Sequence, residues 1–234
     1  MKFLGGRFLK KYLILFIAVL GIWGCGKEEK AAEKSSGGNS ETCAISSEET
    51  KTEDVKVTVP KGEEITVDGK EVTILNKRIK VGDKLEDAEL ISPVGEFNKM
   101  QKVKLSNDKG IKVIYTAPSL DTPVCSLQTK TLDSKAKEHS NVFFYSITDD
   151  LPFAMTRFCS DNEIHNLKTL SDYQGHEFSS KNGFLMKEYQ LLTRAIIIVD
   201  ENDIVKYVDY GKEVTKELDI DKAMNFLEND LLKK

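Results

Sequence analysis

An α/β fold is predicted for most of this 234-residue chain. Three observations predict it. Strand-length apolar runs alternate with helical stretches between about residues 111 and 170. Two further strand-like runs then follow with only a short turn between them. A last helical stretch closes the chain. Strands alternating with helices, then a hairpin and a final helix, point to an α/β sandwich.

The first 24 residues stand apart from that domain. Lys2, Arg7, Lys10 and Lys11 form a basic start, and Tyr12 to Trp23 is an apolar stretch of 12 residues. This is too short to span a bilayer as a helix but suits the core of an export signal. It ends in Ile22-Trp23-Gly24-Cys25, similar to the lipobox of bacterial lipoproteins, with Trp23 bulky where small residues are usual. Cys25 is therefore the expected lipid attachment point, and the protein is expected on the exported side of a bacterial membrane. Loss of the leader removes four positive charges and moves the formal net charge from −4 to −8. An acidic domain argues against nucleic acid, and membrane attachment must come from lipid. Residues 25–62 are rich in Glu, Lys, Ser, Thr and Gly, cannot bury a core, and read as a tether with a mean span of about 30 to 36 Å.

The folded domain is expected over residues 63–234. It opens on a hairpin, Ile65–Val67 and Val72–Leu75, turned by Asp68-Gly69. Lys80–Asp83 and Ala88–Ile91 follow. Ile111–Thr116 alternates β-branched and aromatic residues and reads as a buried strand. Thr122 then suits a helix N-cap and Pro123 the first helical position, so a helix runs from Pro123 to about His139. Strand 142–148 leads to a helix from Leu151 to about Cys159. Leu167–Leu170 is a short strand. Ala195–Val199 and Ile204–Tyr210 form an antiparallel pair joined through Asn202-Asp203, and Ile220–Leu232 is the closing helix.

Cys125 is the residue on which chemistry is expected. It falls in the first turn of its helix, where unpaired N–H groups and the helix dipole favour an anion. The thiolate is the nucleophilic form of cysteine. The competing reading is a buried cysteine acting as a small hydrophobe. For Cys125 and Cys159 together, a static structural disulfide is also open, because export implies an oxidising compartment.

Pro118, Thr122 and Cys125 make a Pro-x-x-x-Thr-x-x-Cys pattern that resembles the peroxiredoxins, and Pro118-Ser119-x-Asp121-Thr122-x-Val124-Cys125 is similar to their thiol peroxidase subfamily. Asp150-Leu151-Pro152-Phe153-Ala154 through Cys159, and Thr193-Arg194-Ala195 before Ile196–Val199, agree in order over roughly residues 64 to 232. The resemblance implies a thioredoxin-like fold of peroxiredoxin type with an N-terminal β-hairpin. It implies a thiol-dependent peroxidase in which Cys125 becomes a sulfenic acid that Cys159 resolves as an intramolecular disulfide. Thr122 would position thiolate and peroxide, Arg194 would supply a fixed cation, and Pro118 would shield the thiolate. Implied partners are a hydroperoxide substrate, a thioredoxin-like reductant and a second copy of the chain in a homodimer. No cofactor and no metal are expected, since His139, His165 and His176 are scattered and no Cys pair has metal spacing. Phe153, Phe158 and Phe178 suit the core, with some free to line an apolar mouth for organic peroxides.

Placed on helices, the two cysteines conflict with a ready-made disulfide. Cys159 falls about eight residues, on the order of 12 Å, into its helix, whereas a disulfide needs Cα atoms within about 7 Å. Either the helices are ordered differently or one helix end must unwind for the bridge to form, and the second is the favoured reading. The alternative function is a lipid-anchored thiol–disulfide oxidoreductase, but that class needs a Cys-x-x-Cys pair and this chain has Gln128 three residues after Cys125. A non-catalytic binding lipoprotein is the third reading, disfavoured by the presence of both Thr122 and Arg194.

Overall fold

The computed structural model describes residues 64–93 and 95–233. The expected leader, Cys25, Cys43 and nearly all of the tether lie outside them. The N-terminal hairpin pairs β1 (Thr66–Val67) with β2 (Lys70–Glu71). Asp68 and Gly69 have φ of 50° and 73°, the two left-handed positions that a type I′ turn requires. The second strand is two residues long and ends before the expected Val72–Leu75. That segment runs instead beside a hairpin absent from the sequence reading, β8 (Leu185–Met186) with β9 (Leu191–Leu192), through an Ile74–Met186 bridge.

The central sheet contains β3 (Leu90–Ile91), β4 (Lys102–Val103), β5 (Lys112–Thr116), β6 (Phe143–Thr148), β7 (Lys168–Ser171), β10 (Ala195–Val199) and β11 (Val205–Tyr210), in the order β11-β10-β5-β6-β7-β3-β4. The pairs β5–β6 and β6–β7 are parallel, and the other neighbours are antiparallel. The parallel strands are joined through α1 (Pro123–Ala136) and α2 (Pro152–Asp161). A short α3 (Glu177–Asn182) follows β7, and α4 (Ile220–Phe226) continues as a π-helical stretch, Leu227–Leu232.

Strand alternation divides the interior into two layers. Val113 and Tyr115 of β5, Phe144 of β6 and Ile196 and Ile198 of β10 pack with Leu132, Met155, Phe158 and Met224 from α1, α2 and α4. Ile114, Tyr145, Ile147 and Ile197 face the other way, toward Phe178 of α3, Phe184 and the segment carrying Ile79, Leu85 and Leu90. Each such side chain, fully buried, contributes about 1.5–3 kcal/mol.

Most core elements match expectation to within a residue or two. Helix α1 stops three residues short of His139. There His139 N–H bonds the Ala136 carbonyl at 3.1 Å and its ring Nδ1 sits 2.9 Å from the Lys135 carbonyl, so the last turn tightens to i→i−3 bonding and the helix ends. Strand β4, helix α3 and the β8–β9 hairpin went unpredicted because two to six residues carry no usable periodicity.

Candidate active site

Parallel β5 and the first turn of α1 bring Cys125 to the carboxyl edge of the sheet. Thr122 holds the N-cap position with extended φ −93° and ψ 144°, Pro123 opens the helix, and Cys125 is its third residue, with none of its surface exposed. The register of β10 against β5 pairs Ala195 with Thr116. Arg194, one residue earlier, is thereby carried to the same edge.

Arg194 is 2% exposed. Its Nη2 donates to Cys125 Sγ at 3.3 Å, its Nε to the Val214 carbonyl at 2.9 Å, and its Nη1 to Gln128 Oε1 at 3.4 Å and to the Tyr115 hydroxyl. Tyr115 donates to Gln128 Oε1 at 3.1 Å, and Gln128 Nε2 donates to the Leu218 carbonyl at 2.7 Å. Burial raises the Tyr115 phenol well above its ordinary value, outweighing the nearby Arg194 charge, so this hydroxyl stays neutral. The guanidinium is thus fixed from four sides. A buried cation at that distance stabilises negative charge on the sulfur far more than an exposed one would.

Thr122 is an N-cap by position but not by bonding. Its hydroxyl donates to the Ser119 carbonyl at 3.0 Å and caps no helix amide. Thr122 lines a cleft, and a hydroxyl that donates its proton to a carbonyl keeps acceptor capacity, which suits a positioning role. The cleft has a volume of about 330 Å³. Pro118, Thr122 and Arg194 line it together with apolar walls that include Val67, Val124, Met186 and Leu191. The expected aromatic mouth is not there: Phe158 and Phe178 are core, and Phe153 packs edge-on against Phe97, 4.7 Å between ring centres. The apolar wall comes instead from β1, from the β8–β9 hairpin and from the segment after β11. Glu213, next to Val214, holds β1 in place by accepting from Thr66 Oγ1 at 2.8 Å and from the Asp68 and Gly69 amides at 3.0 Å each.

Cys159 lies elsewhere. It is the eighth residue of α2, half-buried, with Sγ 3.3 Å from Thr169 Oγ1 on β7. Burial raises its thiol above the ordinary value, against a smaller opposing contribution from Thr169. Both cysteines are free thiols. Cys125 is hydrogen-bonded to Arg194, just before β10, whereas Cys159 is hydrogen-bonded to Thr169 on β7.

A half-buried carboxylate, Asp150, and a buried one, Asp133, frame this arrangement. Asp150, the residue before the α2 N-cap, accepts from Ser119 Oγ and Leu120 N–H, both at 2.6 Å, and from Thr148 Oγ1 at 2.8 Å. Asp133 of α1 accepts from the amides of His165, Asn166 and Leu167 at 3.1, 2.7 and 3.0 Å, fixing the exit of α2. Neither was singled out from sequence, nor were Tyr115 and Gln128. Only Gln128 carried a signal, as a polar residue three positions after Cys125, on the same helix face. Of the histidines, His139 is buried against Glu228 at 3.2 Å and His165 is exposed. His176 has carboxylate neighbours that sequence distance hides: it lies 3.1 Å from Asp149 and near Asp172.

Fold and site together define a class: thioredoxin-like proteins with a cysteine in the first turn of the helix that follows a central strand. Residues 80–226 match the family model described as Redoxin. A thiol peroxidase of Clostridium acetobutylicum is 40% identical over 147 residues, covering 63% of this chain and 87% of that protein. One of Oceanobacillus iheyensis is 39% identical over 164 residues, covering 70% and 97%. The crystal structure of a peroxiredoxin-like protein from Aquifex aeolicus superposes with a TM-score of 0.65 at 29% identity, over 71% of this chain and 96% of that one. The chain belongs to the redoxin family, and it is a thiol-dependent peroxidase of the thiol peroxidase type.

Proposed function

We propose that Cys125 is the peroxide-attacking residue and Cys159 the resolving one. The Cys125 thiolate attacks a hydroperoxide, the O–O bond breaks, and one proton is taken up to release an alcohol or water and leave Cys125 as a sulfenic acid. Arg194 stabilises charge on sulfur and on the leaving oxygen. The Thr122 hydroxyl orients the peroxide, and Pro118 keeps water from the sulfur. The Cys159 thiol then condenses with the sulfenic acid, forming the disulfide and expelling water. An external thioredoxin-like dithiol restores both thiols by exchange.

The observation that carries this reading is Arg194, which contacts Cys125 Sγ and also lines the apolar cleft. The cleft chemistry favours organic hydroperoxides over hydrogen peroxide, since an alkyl tail gains from apolar walls while hydrogen peroxide gains nothing. Gln128 weakens the protein-oxidoreductase alternative. It fills the position of a second redox cysteine and is committed to Arg194, Tyr115 and Leu218. The test is peroxide consumption with dithiothreitol as reductant, on cumene hydroperoxide and hydrogen peroxide, with peptide mapping of the oxidised protein. A Cys125–Cys159 peptide and a higher kcat/KM on cumene hydroperoxide are expected. Equal efficiencies would remove the substrate preference.

The leader and Cys25 support export and lipid attachment, with Cys25→Ser expected to move the protein into the soluble fraction. Exposed Leu127 and Leu151 lie near the starts of α1 and α2, and Phe97 is 81% exposed. These surfaces support a homodimer formed near the active site, which analytical ultracentrifugation of the protein would test.

A further inference from the structure

The reaction as proposed needs two incompatible arrangements. Attack on peroxide needs the loop Pro118–Thr122 held in register with Arg194, and resolution needs α2 to release Cys159. One carboxylate touches both. Asp150 Oδ1 takes the Ser119 hydroxyl, and Oδ2 takes the Leu120 amide and the Thr148 hydroxyl. The Ser119 carbonyl in turn takes the Thr122 hydroxyl at 3.0 Å and the Thr122 amide at 3.2 Å. On the other side, the Asp150 carbonyl takes the Ser171 hydroxyl at 2.6 Å, and the next residue, Leu151, is the N-cap of α2. A continuous chain of bonds thus runs from the peroxide-positioning hydroxyl to the foot of the resolving helix.

We infer that Asp150 is a positioning residue that latches the peroxide-binding loop to the foot of α2, and so sets how the Cys125 sulfenic acid is divided between resolution and over-oxidation. The inference rests on the cysteine roles proposed above. With the latch closed, attack is fast and Cys159 is withheld. Releasing α2 from its foot also frees Ser119 and with it Thr122, so the loop loses its peroxide-reactive register as the resolving thiol becomes available. The sulfenic acid then has two exits. Condensation with the Cys159 thiol gives the disulfide and water. Attack on a second hydroperoxide gives the sulfinic acid and an alcohol. A tighter latch lengthens exposure to the second exit.

The same carboxylate could be only a local turn, since Asp150 N–H also lies 3.4 Å from Thr148 Oγ1. A turn role predicts loss of stability with both steps slowed alike. A latch predicts opposite signs. In Asp150→Asn, an amide N–H₂ replaces an acceptor of charge-assisted bonds. Oxidation of Cys125 should slow about tenfold, while sulfinic acid formed per turnover falls at least threefold.

The experiment is rapid quench of the reduced full-length chain with cumene hydroperoxide, followed by mass spectrometric counting of disulfide and sulfinic acid at Cys125. Ser119→Ala and Ser171→Ala, which each remove one bond from opposite sides of the latch, accompany Asp150→Asn in case that variant does not fold. Slower oxidation together with less sulfinic acid, in Asp150→Asn or in weaker form in Ser119→Ala, upholds the latch. An unchanged partition in folded variants overturns it, provided the wild type forms the Cys125–Cys159 disulfide. A wild type that forms no such disulfide overturns the cysteine roles and the latch together.

Discussion

Cys125 and Cys159 sit on helices packed against the same face of one sheet, yet they meet opposite surroundings. Around Cys125 the fold has gathered a buried cation, a neutral phenol, an amide and two backbone carbonyls, so the sulfur has a partner of defined charge. Around Cys159 it offers a threonine hydroxyl, partial burial and the charge of Asp133, and both burial and that charge disfavour the thiolate. Under the roles proposed above, the same atom type is prepared for two tasks. A sulfur that must attack needs its anion stabilised in place. A sulfur that must wait gains from staying a thiol until a sulfenic acid is within reach. Burial alone does not make a nucleophile, since the more buried of the two is the one with the cation.

The comparison can be broken most directly at Cys125. Cys125→Ser should remove peroxidase turnover by more than about a thousandfold, because a hydroxyl is not ionised near neutral pH. Wild-type consumption of cumene hydroperoxide by this variant would overturn the assignment. Cys159→Ser should leave the first oxidation within about twofold of wild type while steady-state turnover with thioredoxin collapses; single-turnover and multiple-turnover assays on one preparation separate the two. Arg194→Lys should lower kcat/KM about a hundredfold, since a lysine cannot reach Cys125, Tyr115 and Val214 at once. A loss below threefold would mean that any cation suffices. Tyr115→Phe should cost about three- to tenfold, by leaving Gln128 and Arg194 each short of one buried partner. The smallest effect is expected at Glu213. Burial pushes its carboxyl up, but bonds from the Gly69 amide, Thr215 and Thr66 outweigh this and hold it at about 2. Its hold on the N-terminal hairpin is then complete above the ordinary carboxylate range and lost as pH falls through about 2. Hydrogen-exchange protection factors at Thr66–Gly69, corrected for the intrinsic pH dependence of exchange, should fall over that window and stay constant between pH 5 and 8.

Most of the core was legible in the sequence because long runs such as Ile111–Thr116 and Ala195–Val199 are buried on both faces and carry strong patterns. The placing of Cys125 at a helix start, and of Arg194 just before a strand, was legible because both lie in contiguous motifs. What escaped reading joins distant parts of the chain. Tyr115 looked like any inward strand residue, and only the Ala195–Thr116 register shows that its hydroxyl meets Arg194. Phe158 and Phe178 suit the core and lie there, and none of the three phenylalanines that could have reached an apolar mouth lines the cleft. The cleft walls are made instead by Val67, Met186 and Leu191, from two-residue strands that carry no periodic signal. Thr122 was assigned a cap bond because sequence gives its position and not the competing Ser119 carbonyl.

The separation of these partners along the chain has a consequence for biogenesis. Arg194 follows Cys125 by 69 residues, and the Glu213 clamp closes a loop of 147 residues back to Thr66. Contacts of such long range form late, after local helices and the nearer parallel strand pairs. During synthesis the helix bearing Cys125 emerges before Arg194 and before the Glu213 clamp. Under the proposed roles, the thiol then has its helix start first and gains its buried cation and its cleft wall only when the segments carrying Arg194 and Glu213 close on the earlier part of the chain.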